Sequence, residues 1–189
     1  MEYLDIVDEQ GQPTGEIISR TLAHTEGIRH RTAHIWIVRR ENEHFQVLMQ
    51  KRAMSKDSFP GKYDTSSAGH IQAGDEPLAS GLRELAEELG IHAKPEDLAF
   101  AGCIHGNFAE EFHGKIFRDN EIAFVYVYQQ PLNIETLVLQ KEEVESVRWF
   151  DLEETYQQCR QHRDKFCVPL GGLQLVRQFI KSNGNTIKE

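Results

Sequence analysis

The densest chemistry in the chain lies in residues 83–91, Arg-Glu-Leu-Ala-Glu-Glu-Leu-Gly-Ile, which set carboxylates at Glu84, Glu87 and Glu88. At about 100° per residue, Leu78, Leu82, Leu85 and Leu89 fall within a helical stripe about 60° wide. The glutamates then share the other side at i, i+3 and i, i+4 spacings, where like charges cost roughly 0.2–0.5 kcal/mol per pair. A solvated acidic face is one reading of that pattern. A site for a hard divalent cation is the other, because Gly69, Gly74 and Asp75 form a glycine-bracketed loop that feeds the helix and Gly90 closes it. Spacing alone leaves both readings open.

The elements that must carry these groups form a mixture of strands and helices without internal repeats. Apolar runs at 3–7 and 16–18 flank Gln10-Gly11-Gln12-Pro13-Thr14-Gly15, which predicts an N-terminal β-hairpin within residues 1–20. Ile35-Trp36-Ile37-Val38 is apolar throughout, as a strand buried on both faces would be. Phe45–Met49, Glu121–Tyr128 and Val144–Phe150 are further strands, with Trp36, Phe124 and Trp149 expected in the core. Helices are predicted over Pro77–Leu89, Leu152–Lys165 and Pro169–Lys181. Hairpins interrupt any regular βαβ repeat, so the expected class is α/β with a mixed sheet between helices.

Composition narrows the partners. The chain has 189 residues, 39% hydrophobic and 27% charged, which suits one domain over 1–189 with a core that needs no staples. Thirty Asp and Glu against 21 Lys and Arg give a net charge of −9, a poor match for nucleic acid or an anionic membrane surface. Phosphate would be handled through a metal cation and a few local basic residues. Cys103, Cys159 and Cys167 are odd in number and lack CxxC spacing, so reduced packing cysteines in a cytoplasmic protein are expected. The start, Met-Glu-Tyr-Leu-Asp-Ile, lacks the order of a signal peptide, and no apolar run approaches a membrane span. Walker-type, G-x-G-x-x-G, H-E-x-x-H and G-x-S-x-G patterns are absent.

The run from Gly69 through Asp75 and Arg83-Glu84-Leu85-Ala86-Glu87-Glu88-Leu89-Gly90-Ile91 resembles the Nudix box, G-x5-E-x7-R-E-U-x-E-E-x-G-U, with U aliphatic. Only the first glutamate departs, being Asp75, one methylene shorter. The resemblance implies a Nudix-type α/β/α sandwich with residues 69–91 as loop-helix-loop. It also implies Mg²⁺ or Mn²⁺ on Glu84, Glu87 and Glu88, with Arg83 orienting them by ion pairing and Gly69, Asp75 and Gly90 shaping the loops.

Beyond the box, Arg52-Ala53-Met54-Ser55-Lys56 and Phe59-Pro60-Gly61-Lys62 are similar to the R-A-x-S-K…P-G segment of type I isopentenyl-diphosphate isomerases, which share the Nudix fold. That likeness makes Arg52 and Lys56 phosphate contacts. It matches His30 and His70 to histidines of those enzymes, taken here as substrate-side groups, and sets His24 near a metal histidine at a spacing one residue shorter. Asp119-Asn120-Glu121 is similar to their E-N-E metal segment. The isomerase thiol before Gly-His is Ala68 here, and a methyl group does no acid–base work.

The expectation is therefore a metal-dependent hydrolase of a diphosphate linkage in a nucleoside diphosphate-X compound, with Glu84, Glu87 or Glu121 as base. An isomerase-like activity and a non-catalytic Nudix binding module are the alternatives. The expected partner is a small phosphorylated molecule, and a homodimer is left open.

Overall fold

The computed structural model describes residues 2–183. Strands β1 (Tyr3–Val7) and β2 (Pro13–Ser19) form the N-terminal antiparallel hairpin and lead into the short helix α1 (Arg20–Glu26), whose start Ser19 caps through Leu22 N–H. A seven-stranded mixed sheet follows, built from β3 (His30–Glu41), β4 (His44–Arg52), β5 (Tyr63–Asp64), β6 (Ser67–His70), β7 (Leu98–Phe112), β8 (Lys115–Tyr128) and β9 (Val144–Asp151). Helix α2 (Pro77–Leu89) covers one face, and α3 (Leu152–Gln161) and α4 (Leu170–Asn183) cover the other.

Period-two alternation splits the core between these faces. Ala33, Ile35 and Ile37 pack with Leu48 against Leu85 and Leu89 of α2. Trp36 and Val38 pack with Val47, Met49, Val125 and Val127 against Leu173, Val176 and Ile180 of α4. The leucine stripe of α2 thus points where its spacing predicts. Trp149 packs against the α2-side core and stacks under the Arg39 guanidinium at 4.3 Å.

Strand β3 organises the sheet. Along one edge it runs parallel to β8 from His30↔Glu121 to Ile37↔Tyr128. Its other edge is shared between two partners: Thr32–Ile35 pair with β6, and Val38–Glu41 pair with β4. Where β6 and β4 part, the Ser66 hydroxyl accepts from Ile37 N–H at 2.8 Å and donates to the Leu48 carbonyl. This side chain replaces the ladder bonds that the divergence would otherwise leave unpaired.

Several elements differ from their expected bounds. Strand β7 and helix α1 carry no clear apolar signal: β7 is an edge strand with Glu110, Glu111 and two glycines, and its register with β8, not its composition, holds it in place. Strand β8 starts at Lys115 because the polar segment before Glu121 pairs with β7. Helix α3 stops at Gln161, where the backbone departs from helical geometry at His162.

The N-terminal hairpin is tied to the box loop by buried charge. Asp5 accepts from Arg31 at 2.8 Å and from Gly74 N–H at 3.1 Å, and Arg31 also donates to the Asp75 carbonyl at 3.2 Å. Asp5→Ala would leave the Arg31 guanidinium buried without its counter-charge. Urea unfolding should show a loss of about 3–5 kcal/mol, and Asp5→Ala with Arg31→Met should recover much of it. Equal stability of Asp5→Ala and wild type would refute the hairpin's anchoring role.

Candidate metal and phosphate site

The strand period that feeds the core also builds the site. His30, Thr32 and His34 occupy alternate positions of β3 and share one face with Trp36. Across the ladders, Glu121 pairs with His30, His70 with Thr32 and Ala68 with His34. Asp119 lies two residues before Glu121, on the same face of β8. Helix α1 brings in His24, which the pairing of Asn120 Nδ2 with the Gly27 carbonyl at 3.1 Å helps to seat beside β8. Apart from the fully buried His30, these groups line a cavity of about 390 Å³ with Glu84, Glu87, Glu88, Arg52 and Lys56.

The imidazoles are arranged as ligands. His30 uses Nδ1 on the Ile28 carbonyl at 2.9 Å and His24 uses Nδ1 on the Arg118 carbonyl at 3.4 Å. Each bond favours the tautomer that turns a bare Nε2 inward, the usual outer-shell support of a metal-binding histidine. The Nε2 atoms of His24 and His70 lie 3.0 Å apart, an unfavourable pairing unless a proton or a cation lies between them. Ligand atoms of His24, His30 and His70 fall within 4.8 Å of one another, as do those of His30, Asp119 and Glu121. Among the described residues, His30 Nε2 and Asp119 Oδ1 are buried without a hydrogen-bond partner, although they stand 3.7 Å apart.

Protonation follows the same logic. Burial holds the three imidazoles below their usual pKa, His24 at about 4, with the neighbouring His30 adding to the effect. Burial also pushes the Asp119 and Glu121 carboxyls up, Asp119 further because Glu121 faces it. Neutral imidazoles and reluctant carboxylates that meet at His30 are what a divalent cation would satisfy. The donors fit such an ion: both the His24–His30–His70 group and the His30–Asp119–Glu121 group suit a divalent metal.

The carboxylates of α2 enter through the divergence of β4 and β6. Glu88 is buried there, accepting from Ala68 N–H at 3.2 Å and Gln50 Nε2 at 3.5 Å, and burial pushes it up to about 8. Glu84 lies against Gly69: a Cβ on that glycine would come within 2.1 Å of the carboxyl carbon, so any side chain there would displace the carboxylate. Burial raises Glu84 to about 7, with Arg83 opposing the shift. Arg83 reaches Glu84 at 2.9 Å and Glu87 at 3.6 Å and donates to the His70 carbonyl at 3.1 Å, so it braces helix against strand. Glu87 is the outer member, its side chain 55% exposed.

The NUDIX domain family matches residues 28–167 of this chain. The chain belongs to the Nudix family. It is 41% identical over 153 residues to an uncharacterised Nudix hydrolase of Clostridium acetobutylicum, covering 81% of this chain and 71% of that protein. An isopentenyl-diphosphate Delta-isomerase of Streptomyces avermitilis is 30% identical over 129 residues, 68% of this chain and 63% of the isomerase. DR0079 from Deinococcus radiodurans shares the fold at a TM-score of 0.65 and 19% identity, covering 93% of this chain and 98% of that one. Family membership and these hydrolase relatives make the chain a Nudix pyrophosphohydrolase.

Within this Nudix domain the departure at Asp75 is absorbed by the main chain: its N–H donates to the Gln72 carbonyl at 3.0 Å and its own carbonyl takes Arg31. Gly90 caps α2 at φ 70°, and a Cβ there would press on Val138 at 2.9 Å. The expected phosphate cations are both held by acids, Arg52 by Asp64 at 3.0 Å with Ser58, and Lys56 by Glu143. His30 and His70, read from the sequence as substrate-side groups, face each other and His24.

His34 is buried between Thr32 Oγ1 at 3.3 Å and Glu121 at 3.5 Å. Arg20 and Cys167 also line the cavity, and neither carried a sequence signal. The Cys167 thiol donates to the Tyr63 carbonyl at 3.4 Å, and burial holds it well above the usual thiol range.

Metal should stabilise this fold measurably. Saturating Mn²⁺ at about 100 times Kd should raise the Tm of chelator-stripped protein by about 5–10 °C. Asp119→Asn should lose most of that shift while its own metal-free Tm does not fall. An unchanged Mn²⁺ shift in Asp119→Asn would remove Asp119 from the ligand set.

Proposed function

We propose that the chain is a divalent-metal-dependent hydrolase that cleaves the diphosphate linkage of a nucleoside diphosphate-X compound. The observation that carries this reading is the convergence, in one cavity, of inward-turned imidazoles, the box carboxylates and the Arg52–Lys56 pair. His24, His30, His70, Asp119 and Glu121 would hold one ion, with Mn²⁺ favoured over Mg²⁺ because Mg²⁺ takes oxygen ligands. Glu84, Glu87 and Glu88 would hold Mg²⁺ or Mn²⁺ through oxygen. Bound metal supplies charge neutralisation at phosphoryl oxygens and a water of lowered pKa.

Arg52 and Lys56 bind the phosphates, exchanging the carboxylates of Asp64 and Glu143 for phosphate oxygens in charge-assisted hydrogen bonds. Arg83 orients Glu84, and Gly69 leaves Glu84 free to face the cavity. Of the three candidate bases we assign Glu84 to the proton from water. Glu121, beside His34 in the imidazole cluster, is the better ligand, and Glu87 is the most exposed.

The isomerase reading keeps one supporting feature, since Cys167 lines the cavity that Ala68 deprives of its expected thiol. Product analysis separates the two: a nucleoside monophosphate from a nucleoside diphosphate-X compound marks hydrolysis, and an allylic isomer from isopentenyl diphosphate marks isomerisation. The non-catalytic alternative predicts neither product. Among the described residues no helix is long and apolar enough to cross a membrane, and all three cysteines are free, which suits the cytoplasm.

Turnover tests the assignments. Glu88→Gln keeps an oxygen for Ala68 N–H, so it should fold normally and lose most activity. Glu84→Gln should lower kcat by about 10²–10⁴-fold with a smaller change in KM. Near-normal kcat in Glu84→Gln would move the base elsewhere.

A further inference from the structure

Two buried polar side chains of the cavity stand outside both groups of converging ligand atoms: Thr32 and His34. They share a face of β3 with His30, which belongs to both groups. His34 Nε2 lies 3.3 Å from Thr32 Oγ1 and 3.5 Å from Glu121 Oε1. The two side chains therefore gather at the carboxylate that completes the His30–Asp119–Glu121 group.

The surroundings of Nε2 fix its hydrogen. Both neighbours are oxygens, and an ionised carboxylate only accepts, so the matching tautomer carries its hydrogen on Nε2. His34 Nδ1 is buried and, among the described residues, has no hydrogen-bond partner. A hydrogen placed on Nδ1 would orphan a buried donor and set the Nε2 lone pair against the carboxylate. Burial raises the Glu121 carboxyl, and the Thr32 hydroxyl opposes that rise.

Small residues on the adjoining strands leave space for this arrangement. Gly106 pairs with Glu121 across β7 and β8, and a Cβ there would crowd Glu121 at 3.0 Å from Cγ and 3.4 Å from Oε1. Ala68 lies directly across from His34 on β6 and presents only a methyl beside the imidazole. Asp119, the other carboxylate of the group, has its Oδ1 buried without a donor. Glu121 is thus the carboxylate that β3 supplies with donors. Partners of this kind orient metal-binding carboxylates, and their loss costs about 10- to 100-fold in metal affinity.

We propose that His34 and Thr32 are positioning residues that hold Oε1 of Glu121 by hydrogen bonds and so keep its carboxylate among the ligand atoms of His30 and Asp119. This rests on the metal-dependent reading above and adds two residues that need not touch the ion.

Calorimetric titration of chelator-stripped protein with Mn²⁺ tests the pair. It is scored on the binding that Asp119→Asn abolishes, which sets aside any Mn²⁺ on the box carboxylates. His34→Gln sets an amide donor near the place of Nε2, whereas His34→Asn sets one near Nδ1, short of Glu121. His34→Asn should raise the Mn²⁺ Kd by about 10- to 100-fold, and His34→Gln should stay within about threefold of wild type. Thr32→Val removes the hydroxyl with little change of shape and should raise Kd by about 2- to 10-fold.

Equal losses in His34→Asn and His34→Gln would reduce His34 to a packing role and overturn the proposal. A wild-type Kd in His34→Asn would also overturn it and leave the metal site standing. Should His34→Asn fail to fold, as read from its metal-free Tm, Thr32→Val decides: a raised Kd supports the pair and a wild-type Kd overturns it. Absence of any Asp119-dependent Mn²⁺ binding in wild type would sink the metal reading, and the pair with it.

Discussion

A strand has one period, and β3 uses a single face for two opposed purposes. Trp36 and Val38 enter the apolar core beneath α4, while Thr32 and His34, earlier on the same face, line a polar cavity and His30 lies buried against His24 and His70. A one-residue slip of β3 against β8 would move all five side chains to the wrong face. The core and the ligand cluster are therefore held by the same register, from His30↔Glu121 to Ile37↔Tyr128, and neither can be altered independently of it.

The second consequence of β3 is its shared edge. Two strands pairing with successive halves of one partner must diverge, and β4 and β6 do so at Ser66. Glu88 occupies that divergence, reaching from α2 on one face of the sheet to groups that line the cavity on the other. The fold thereby buries carboxyls and imidazoles at positions where neither is comfortable alone. Buried groups of this kind cost stability unless paired, and an ion binding at the cluster would convert that cost into affinity. The N-terminal hairpin belongs to the same economy of placement: Asp5 and Arg31 fasten it to the loop that begins the box.

Much of this was legible in the chain. The leucine stripe and glutamate spacing define α2 and its acidic side, and helix bounds came out at Pro77–Leu89 because proline starts it and Gly90 ends it. The hairpin and the apolar strands followed from turn chemistry and periodicity. Strand β7 was invisible because an edge strand with one partner exposes alternate residues and tolerates charge and glycine. The thiol of Cys167 and the Arg20 guanidinium were invisible for another reason: each reaches the cavity from a distant segment, and no local pattern records that.

The sequence by itself determined the family, the mixed α/β class and the inventory of ligand types, because these rest on local spacing along one element. Only the tertiary structure decided which nitrogens face one another, that Arg52 and Lys56 begin paired with Asp64 and Glu143, and that Phe59 of the β4–β5 loop meets Phe108 and Phe112 of β7. Those relations join residues far apart in the chain through strand register and buried contacts. They are properties of the packed sheet and have no signature in any one segment.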